Sequence, residues 1–478
     1  MSGFDLFDAT RPNYDRVIQS IADFALGYDV AVSNEAMATA RHCWMDTIGC
    51  GLYALNFPAC VNLLGPVVPG AEMVCGARVP GTGYDLDPVR AAWNLGAMVR
   101  WLDYNDTWLA AEWGHPSDSL GAIFSLADYL GRSGQSQQMR DVLIAMIKAH
   151  EIQGVIALEN GFNRVGLDHV MLVRIASAAV CAQMLGCSRD EVCAAISHAW
   201  IDGSALRTYR HAPNTGSRKS WAAGDASARG LFLALMAKRG EMGYPSALTA
   251  NTWGFHDVLF RKKELKFNQG FSTYVMENIL FKVSFPAEFH AQTAVEAALQ
   301  LHPEVIDRLD AIEHILLKTQ ESADRIINKT GPLDNPADRD HCLQYMVAIP
   351  LIFGRLTAED YEDEIAMDPR VDDLREKMEV VEDERFTHEY LAPDKRAIGN
   401  SVQVIFKDGS STEEVSIDYP VGHRRRRDEG IPLLLEKFER YLRGAINESN
   451  ADRILEICGD QSTFQSTSVD AMMELLVK

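Results

Sequence analysis

The chain contains no Cys-x-x-Cys pair. Its nine cysteines stand at 43, 50, 60, 75, 181, 187, 193, 342 and 458, an odd number spread without metal-ligand spacing. That argues against a disulfide framework, a zinc knuckle or an iron–sulfur cluster, and favours reduced thiols in a reducing compartment. Long apolar runs are missing too, since none approaches the ~20 residues of a membrane span. The opening MSGFDLFDATRPNYDR has acids at 5 and 8 and no apolar core of the kind a secretory leader needs. A cytoplasmic location is expected. Positive charge is scarce: 46 Lys and Arg against 67 Asp and Glu give a net −21. Neither nucleic acid nor an anionic membrane is an expected partner. Gly-x-Ser-x-Gly, phosphate-loop and His-Glu-x-x-His signatures are absent as well. No metal and no cofactor is expected.

What is present begins with size. The 478 residues are 47% apolar, enough for two or three domains with a large core. Helical spacing of Val17, Ile18, Ile21, Phe24 and Ala25 predicts a helix over 14–28, and a second follows over 38–55. Residues 57–88 are rich in Gly, Pro and Val and read as loop with one short strand. A helix over 89–103 leads into WLDYNDTWLAAEWGHPSD (101–118). Ser117 or Asp118 is placed to cap the helix that follows. Four more helical runs, dense in alanine, fill 138–250. Near 271 the pattern changes. AIEHILLKT (311–319) reads as a strand, and 401–420 alternates around an Asp-Gly turn, a β-hairpin signature. Helices and an acidic stretch, 359–385, lie between. The last ~50 residues return to helical spacing.

Five stretches carry chemistry. The first, 101–118, has Asp103, Asp106, Glu112, Asp118, Thr107, His115 and three tryptophans. On a helix end Asp103 and Asp106 or Thr107 share a face, and His115, before a proline, leaves the helical region. Histidine is the side chain most easily tuned for proton transfer near neutral pH. Caps and a satisfied loop histidine would explain the same residues. The second stretch, 160–174, opens a helix with Asp168-His169, adjacent residues that point different ways and form no obvious dyad. The third runs from Gly203 to Ser220. It holds Arg207, Arg210, Arg218, Lys219 and His211 and no acid, which suits a polycarboxylate or phosphate. Its NTGSRK segment precedes a helix and offers backbone N–H groups to an anion. The fourth places Lys282 in an apolar, extended run before Phe285-Pro286. The fifth ends in Asp340-His341 at a helix start. Arg424–Arg427, backed by acids, read as a solvated or interdomain face.

Taken together, GCGLYALNFPAC (49–60), RWLDYNDTWLAAEWGHPSD (100–118), AHEIQGVIALEN (149–160), FNRVGLDHV (162–170), RTYRHAPNTGSRKSWAAGDA (207–226), VMENILFKVSFPAEFH (275–290) and GPLDNPADRDHC (331–342) resemble the MmgE/PrpD family over nearly the whole chain. The resemblance implies a mainly α protein: a large all-α domain from 1–272 and 429–478, with a smaller α+β lid domain, 273–428, inserted between. It implies a site in the cleft between them. Asp103, Thr107, His115, His169, Lys219 and Lys282 would be catalytic, and a homodimer, which the family often forms, is one possible assembly. Arg207, Arg210, Arg218, His211 and His341 are the candidate substrate-binding residues. The chain departs from the wider family in a longer Thr107–His115 loop and in Ser117 after His-Pro.

The implied chemistry is elimination of water from 2-methylcitrate to give 2-methyl-cis-aconitate, as in propionate degradation by the methylcitrate cycle, without an iron–sulfur cluster. It needs a base for a proton beside a carboxylate, cations for the enediolate-like charge, an acid for the hydroxide, and cations for a tricarboxylate. Either His115 or His169 serves as base, and the other histidine or a lysine as acid. Citrate or aconitate hydration, cis-aconitate decarboxylation, a non-catalytic anion-binding scaffold and a metal-dependent hydrolase are the competing readings.

Overall fold

The computed structural model describes residues 10–202 and 205–478. Residues 1–9, in the opening stretch, and Gly203–Ser204, which begin the basic stretch, lie outside them. Helices dominate. Those with capping side chains start where the sequence supplies them: Ser33 accepts from the Ala36 N–H at 3.1 Å ahead of Asn34–Ala54, and Ser188 and Glu191 form a capping box on Arg189–Ile201. The helices Pro88–Arg100 and Arg218–Lys238 cross closely. A Cβ on Gly96 would lie 2.7 Å from Gly224 Cα, so only glycine permits this approach. The crossing matters because Arg100 and Lys219 sit at the ends of these two helices.

Two main cores form. The first collects apolar residues from the helices between Arg16 and Lys238, and adds Leu434, Phe438, Leu442, Ile454, Phe464 and Met472. The C-terminal helix Arg427–Ala445 packs on Asn34–Ala54, and Val469–Leu476 packs on Leu120–Arg132. The second core lies around a four-stranded sheet ordered Met378–Glu382, Ile312–Thr319, Asn400–Phe406, Val415–Ile417. Ile312–Thr319 pairs parallel with Met378–Glu382 and antiparallel with Asn400–Phe406. The hairpin from Asn400 to Ile417 turns at Gly409, with φ +84°. The helices Gln292–Val305 and Leu343–Phe353 pack together, and the first also covers the hairpin. Among the described residues no helix is long and apolar enough to cross a membrane.

Several local expectations are corrected. The acidic stretch 359–385, to which the sequence assigns no element, contains the strand Met378–Glu382; as an edge strand it exposes its acids. Residues 57–88 hold two short paired strands, Ala77–Arg78 and Asp85–Leu86, where one was expected. Neither Ser117 nor Asp118 caps a helix. Pro116 opens a buried 3-10 turn, and both side chains instead accept hydrogen bonds from Asn105 Nδ2, at 2.8 and 3.0 Å. The Arg424–Arg427 run, by contrast, agrees with the expected solvated or interdomain face: Arg424 pairs with Glu35, Arg426 with Glu296, and Arg427 donates to the Ile279 carbonyl.

Candidate active site

The helix Pro88–Arg100 stops short of Asp103, whose φ is +49°. Aspartate tolerates this left-handed backbone better than most residues, yet it still costs about 1 kcal/mol or more. Helical spacing therefore does not apply here, and Asp103 and Asp106 do not share a face. The Asp103 carboxylate turns inward, where Arg100 and Lys282 Nζ meet Oδ1 at 2.5 and 2.7 Å. His115 Nε2 stands 3.6 Å and His341 Nε2 3.8 Å from the same carboxylate. Burial works against its ionisation, but Arg100, then Lys282, hold its carboxyl well below the usual range. Lys282 comes from an extended segment, is fully buried, and also donates to the Asp103 carbonyl at 2.5 Å.

The segment after Asp103 forms a closed excursion. Thr107 exchanges backbone hydrogen bonds with Leu280, and Trp108 with Gly114. Trp108 and Ala110 enter the first core, while Leu109 and Trp113 enter the second. The tryptophans thus pin two cores together. Gly114 lets the loop pass close to the helices: a Cβ there would lie 2.9 Å from Gln153 Nε2 and 3.1 Å from His169 Cδ2. His115 follows, and its Nδ1 lies 2.6 Å from the Asp106 carbonyl. A carbonyl only accepts, so Nδ1 carries the hydrogen and Nε2 is left bare. Burial, with Arg100 nearby, pushes His115 well below its usual range and keeps the ring neutral. Thr107 Oγ1 is 3.4 Å from the same Nδ1. The Asp106 side chain points the other way, to His150.

Across from His115, ring centroids 5.7 Å apart, lies His169 at the head of the helix Val170–Met184. Its Nδ1 is 3.4 Å from Asp168 Oδ1, so the two adjacent residues do converge. Burial, Arg210 and Arg207 push His169 well below its usual range against the pull of Asp168. Asp168 pairs with Arg210, and despite its burial this cation holds its carboxyl low. Arg207 Nη1 stands 3.8 Å from Asp168 and 3.9 Å from Glu112, its guanidinium over the Trp113 ring at 5.1 Å. Burial pushes Glu112 up to about 7, even though Arg207 and Asn163 oppose it. Among the described residues, Arg207 Nη1, Glu112 Oε1 and both ring nitrogens of His169 are buried with no hydrogen-bond partner.

The third side of the site is ionic. Lys219 Nζ donates to Asp340 at 2.5 and 2.7 Å and lies 3.2 Å from His341 Nδ1. Burial lowers the Lys219 ammonium, opposed by Asp340. A cleft of about 660 Å³ opens on Lys219 and Asp340, between Trp101, Gly216, Ser217 and Asn335. The start of the helix Arg218–Lys238 therefore faces this opening. A wider cleft of about 920 Å³ lies against Trp113, bounded by Arg164, Lys266 and Arg325, and reaches none of the expected catalytic residues.

Asp103, Thr107, His115, His169, Lys219, Lys282, Arg207, Arg210 and His341 thus form one buried chain of contacts. Two expected residues stand apart. Arg218 is exposed and stacks over Trp221 at 4.3 Å, because adjacent helix positions point about 100° apart and Lys219 takes the inward one. His211 is exposed at the rim near Arg207 and Lys329. Residues that the sequence reading left without a role include Arg100, Glu112, Asp168 and Asp340, each a charge neighbour of an expected one. Lys437 was missed outright. From the C-terminal helix its buried Nζ donates to Asp46 at 2.7 Å and to the carbonyls of Tyr104 and Lys282 at 2.9 and 2.8 Å.

Among the described residues, two groups offer metal-donor atoms within 4.8 Å of one another: Asp103, Asp340 and His341, and Cys43, Asp106 and His150. In the first, Lys282 and Arg100 already neutralise Asp103, and Lys219 neutralises Asp340. A metal there would have to displace buried cations.

Known proteins share this arrangement of sequence. Residues 19–268 match the MmgE/PrpD N-terminal domain and residues 285–461 the MmgE/PrpD C-terminal domain. The chain is 58% identical to the 2-methylcitrate dehydratase of Salmonella typhimurium, with 98% of each chain covered. It is likewise 58% identical to a mitochondrial 2-methylcitrate dehydratase of Yarrowia lipolytica, covering 98% of this chain and 92% of that one. A probable 2-methylcitrate dehydratase of Saccharomyces cerevisiae is 51% identical, with 98% and 93% covered. With both domains matched and such identity end to end, the chain belongs to the MmgE/PrpD family.

Proposed function

We propose that this protein is a hydro-lyase that eliminates water from 2-methylcitrate to give 2-methyl-cis-aconitate. The observation that carries the reading is the state of His115. Its Nδ1–H is committed to the Asp106 carbonyl, and a bare Nε2 is left 3.6 Å from the Asp103 carboxylate, beside the buried cations Arg100 and Lys282. That is the base an elimination beside a carboxylate needs. The names of the full-length relatives support the substrate.

In this reading His115 Nε2 takes the proton from the methyl-bearing carbon. Lys282 and Lys219 offset the charge that develops on the adjoining carboxylate. Hydroxide leaves with a proton from Lys219 or His169. Arg207 and Arg210 hold the other carboxylates in a fork that suits them. Lys282 and His341 come from 273–428 and meet Asp103 from the helical part, which supports reading that stretch as a lid whose position completes the site.

The test is product identity. The purified protein, with a strong chelator present, is incubated separately with 2-methylcitrate, citrate and cis-aconitate, and products are identified by mass. Loss of water from 2-methylcitrate, at a rate exceeding that with citrate, is expected. Release of carbon dioxide from cis-aconitate as the dominant reaction would replace this reading with a decarboxylase. Turnover abolished by the chelator would replace it with a metal-dependent one.

A further inference from the structure

Behind the site, out of reach of the reacting space, one histidine makes more hydrogen bonds than a neutral ring can. His150 is buried on the helix Met139–Glu159. Its Nδ1 lies 2.8 Å from the Met146 carbonyl, so Nδ1 carries a hydrogen. Its Nε2 lies 2.8 Å from Asp106 Oδ2. A bare ring nitrogen and an ionised carboxylate both only accept. A second proton therefore sits between them. Cys43 Sγ approaches the same oxygen at 3.5 Å, and the Ser117 N–H donates to Oδ1 at 3.2 Å. The Asp106 side chain is thus held at both oxygens, while its own carbonyl takes the Nδ1–H of His115 at 2.6 Å.

We infer that His150 is a positioning residue for the dehydration: by sharing a proton with Asp106 it fixes the Asp106 peptide, and so keeps His115 in the tautomer with a bare Nε2. The need for such a lock follows from the neighbours of His115. Asp103 Oδ1 stands 3.6 Å from His115 Nε2. A buried carboxylate is a stronger acceptor than a peptide carbonyl. If the Asp106 carbonyl drifted away, a neutral His115 would turn its single hydrogen to Nε2 and donate it to Asp103. The lone pair would then lie on Nδ1, and the base would be spent. His150 touches Met146, Asp106 and Cys43 and acts only through Asp106. The inference rests on the reading of His115 as the base.

Histidine-selective nitrogen-15 NMR of the whole protein decides it, because the ring shifts report protonation without any substrate. In the wild type His150 is expected to show both nitrogens protonated, and His115 a hydrogen on Nδ1 alone. In His150→Gln the His115 signals should move toward the Nε2–H tautomer. With 2-methylcitrate, kcat should fall roughly 10- to 100-fold, the loss typical of an orienting partner, while KM stays within about twofold. The second variant, Asp106→Asn, presents an amide N–H to Nε2, so His150 should lose its second ring proton. A singly protonated His150 in the wild type, or an unchanged ring in Asp106→Asn, overturns the shared proton. Unchanged His115 signals and kcat in His150→Gln reduce His150 to a packing residue. If the ring states are as expected but 2-methylcitrate is not turned over, the fault lies with the proposed substrate and not with the lock.

Discussion

Asp103 and Asp168 sit on opposite sides of the two histidines and are built from the same parts, a carboxylate among cations. They are finished differently. Asp103 is gripped by Arg100 and Lys282 at 2.5 and 2.7 Å, and the neighbouring Asp340 by Lys219 at 2.5 Å. Its loose edge is Arg100–Asp118, at 3.9 Å. Around Asp168, among the described residues, Arg210 is the one cation that closes in. Arg207 stands off at 3.8 and 3.9 Å from its two acids, and it shares with Glu112 and His169 a set of buried polar atoms that lack partners. Each such atom costs about 1–3 kcal/mol. A carboxylate ligand would meet the demand of the donors among them, Arg207 Nη1 and the protonated nitrogen of His169. On the proposed reading the first wall holds the chemistry and the second recognises the substrate.

The harshest way to break the contrast is Asp103→Asn. It keeps the shape and removes the charge, leaving Lys282 buried without its carboxylate and Arg100 with the more distant Asp118. Stability should fall by about 3–5 kcal/mol, seen as a lower unfolding midpoint. Turnover should drop by roughly 10³-fold or more, because Lys282 and His115 both lose their reference point. A variant that keeps near-normal kcat would show that Asp103 is a structural anchor only.

Arg207→Met probes the other wall and should act on a different quantity. Among the described residues the guanidinium makes no pair closer than 3.8 Å, so stability should change little. If it pairs with a substrate carboxylate, KM should rise roughly 10- to 100-fold, matching about 1.5–3 kcal/mol for a charge-assisted bond. Then kcat should hold within about threefold, since the interaction exists equally in ground and transition states. A fall in kcat at constant KM would mean that this wall, too, takes part in the chemistry.

The sequence carried the helices well, because apolar spacing is repeated many times per helix and survives local exceptions. It carried the chemistry-bearing residues where their company was odd: Lys282 in an apolar run, cations without acids in 205–219. It could not aim them. Arg218 and Lys219 are equal in composition, and only the helix phase sends one inward and the other onto Trp221. The backbone reversal at Asp103 has no periodic signature, so the shared face drawn for Asp103 and Asp106 was wrong. Lys437 was invisible for another reason. On an amphipathic helix rich in charge it reads as solvated, and its partner Asp46 lies 391 positions away. The three tryptophans of 101–118 had no assigned task in the sequence, and two of them, Trp108 and Trp113, bind the loop to separate cores.

The mildest prediction concerns Glu112 and decides whether the second wall is as open as it looks. Glu112 is fully buried and takes two hydrogen bonds of 2.6 Å from Asn163, yet its carboxyl is pushed up to about 7. Burial outweighs the distant Arg207. A folded pKa above the unfolded value of ~4.3 means that the folded state binds the extra proton. The stability from this group is therefore complete below ~4.3 and is lost as pH rises through about 7. Glu112→Gln cannot titrate and can still accept from Asn163. The unfolding free energy of the wild type relative to this variant should therefore fall between about pH 4.5 and 7.5, by up to ~3 kcal/mol, measured by urea unfolding at both values. The opposite slope would mean that Glu112 is ionised and firmly paired with Arg207. The cation would then be engaged before any substrate arrives, and the second wall would be as closed as the first.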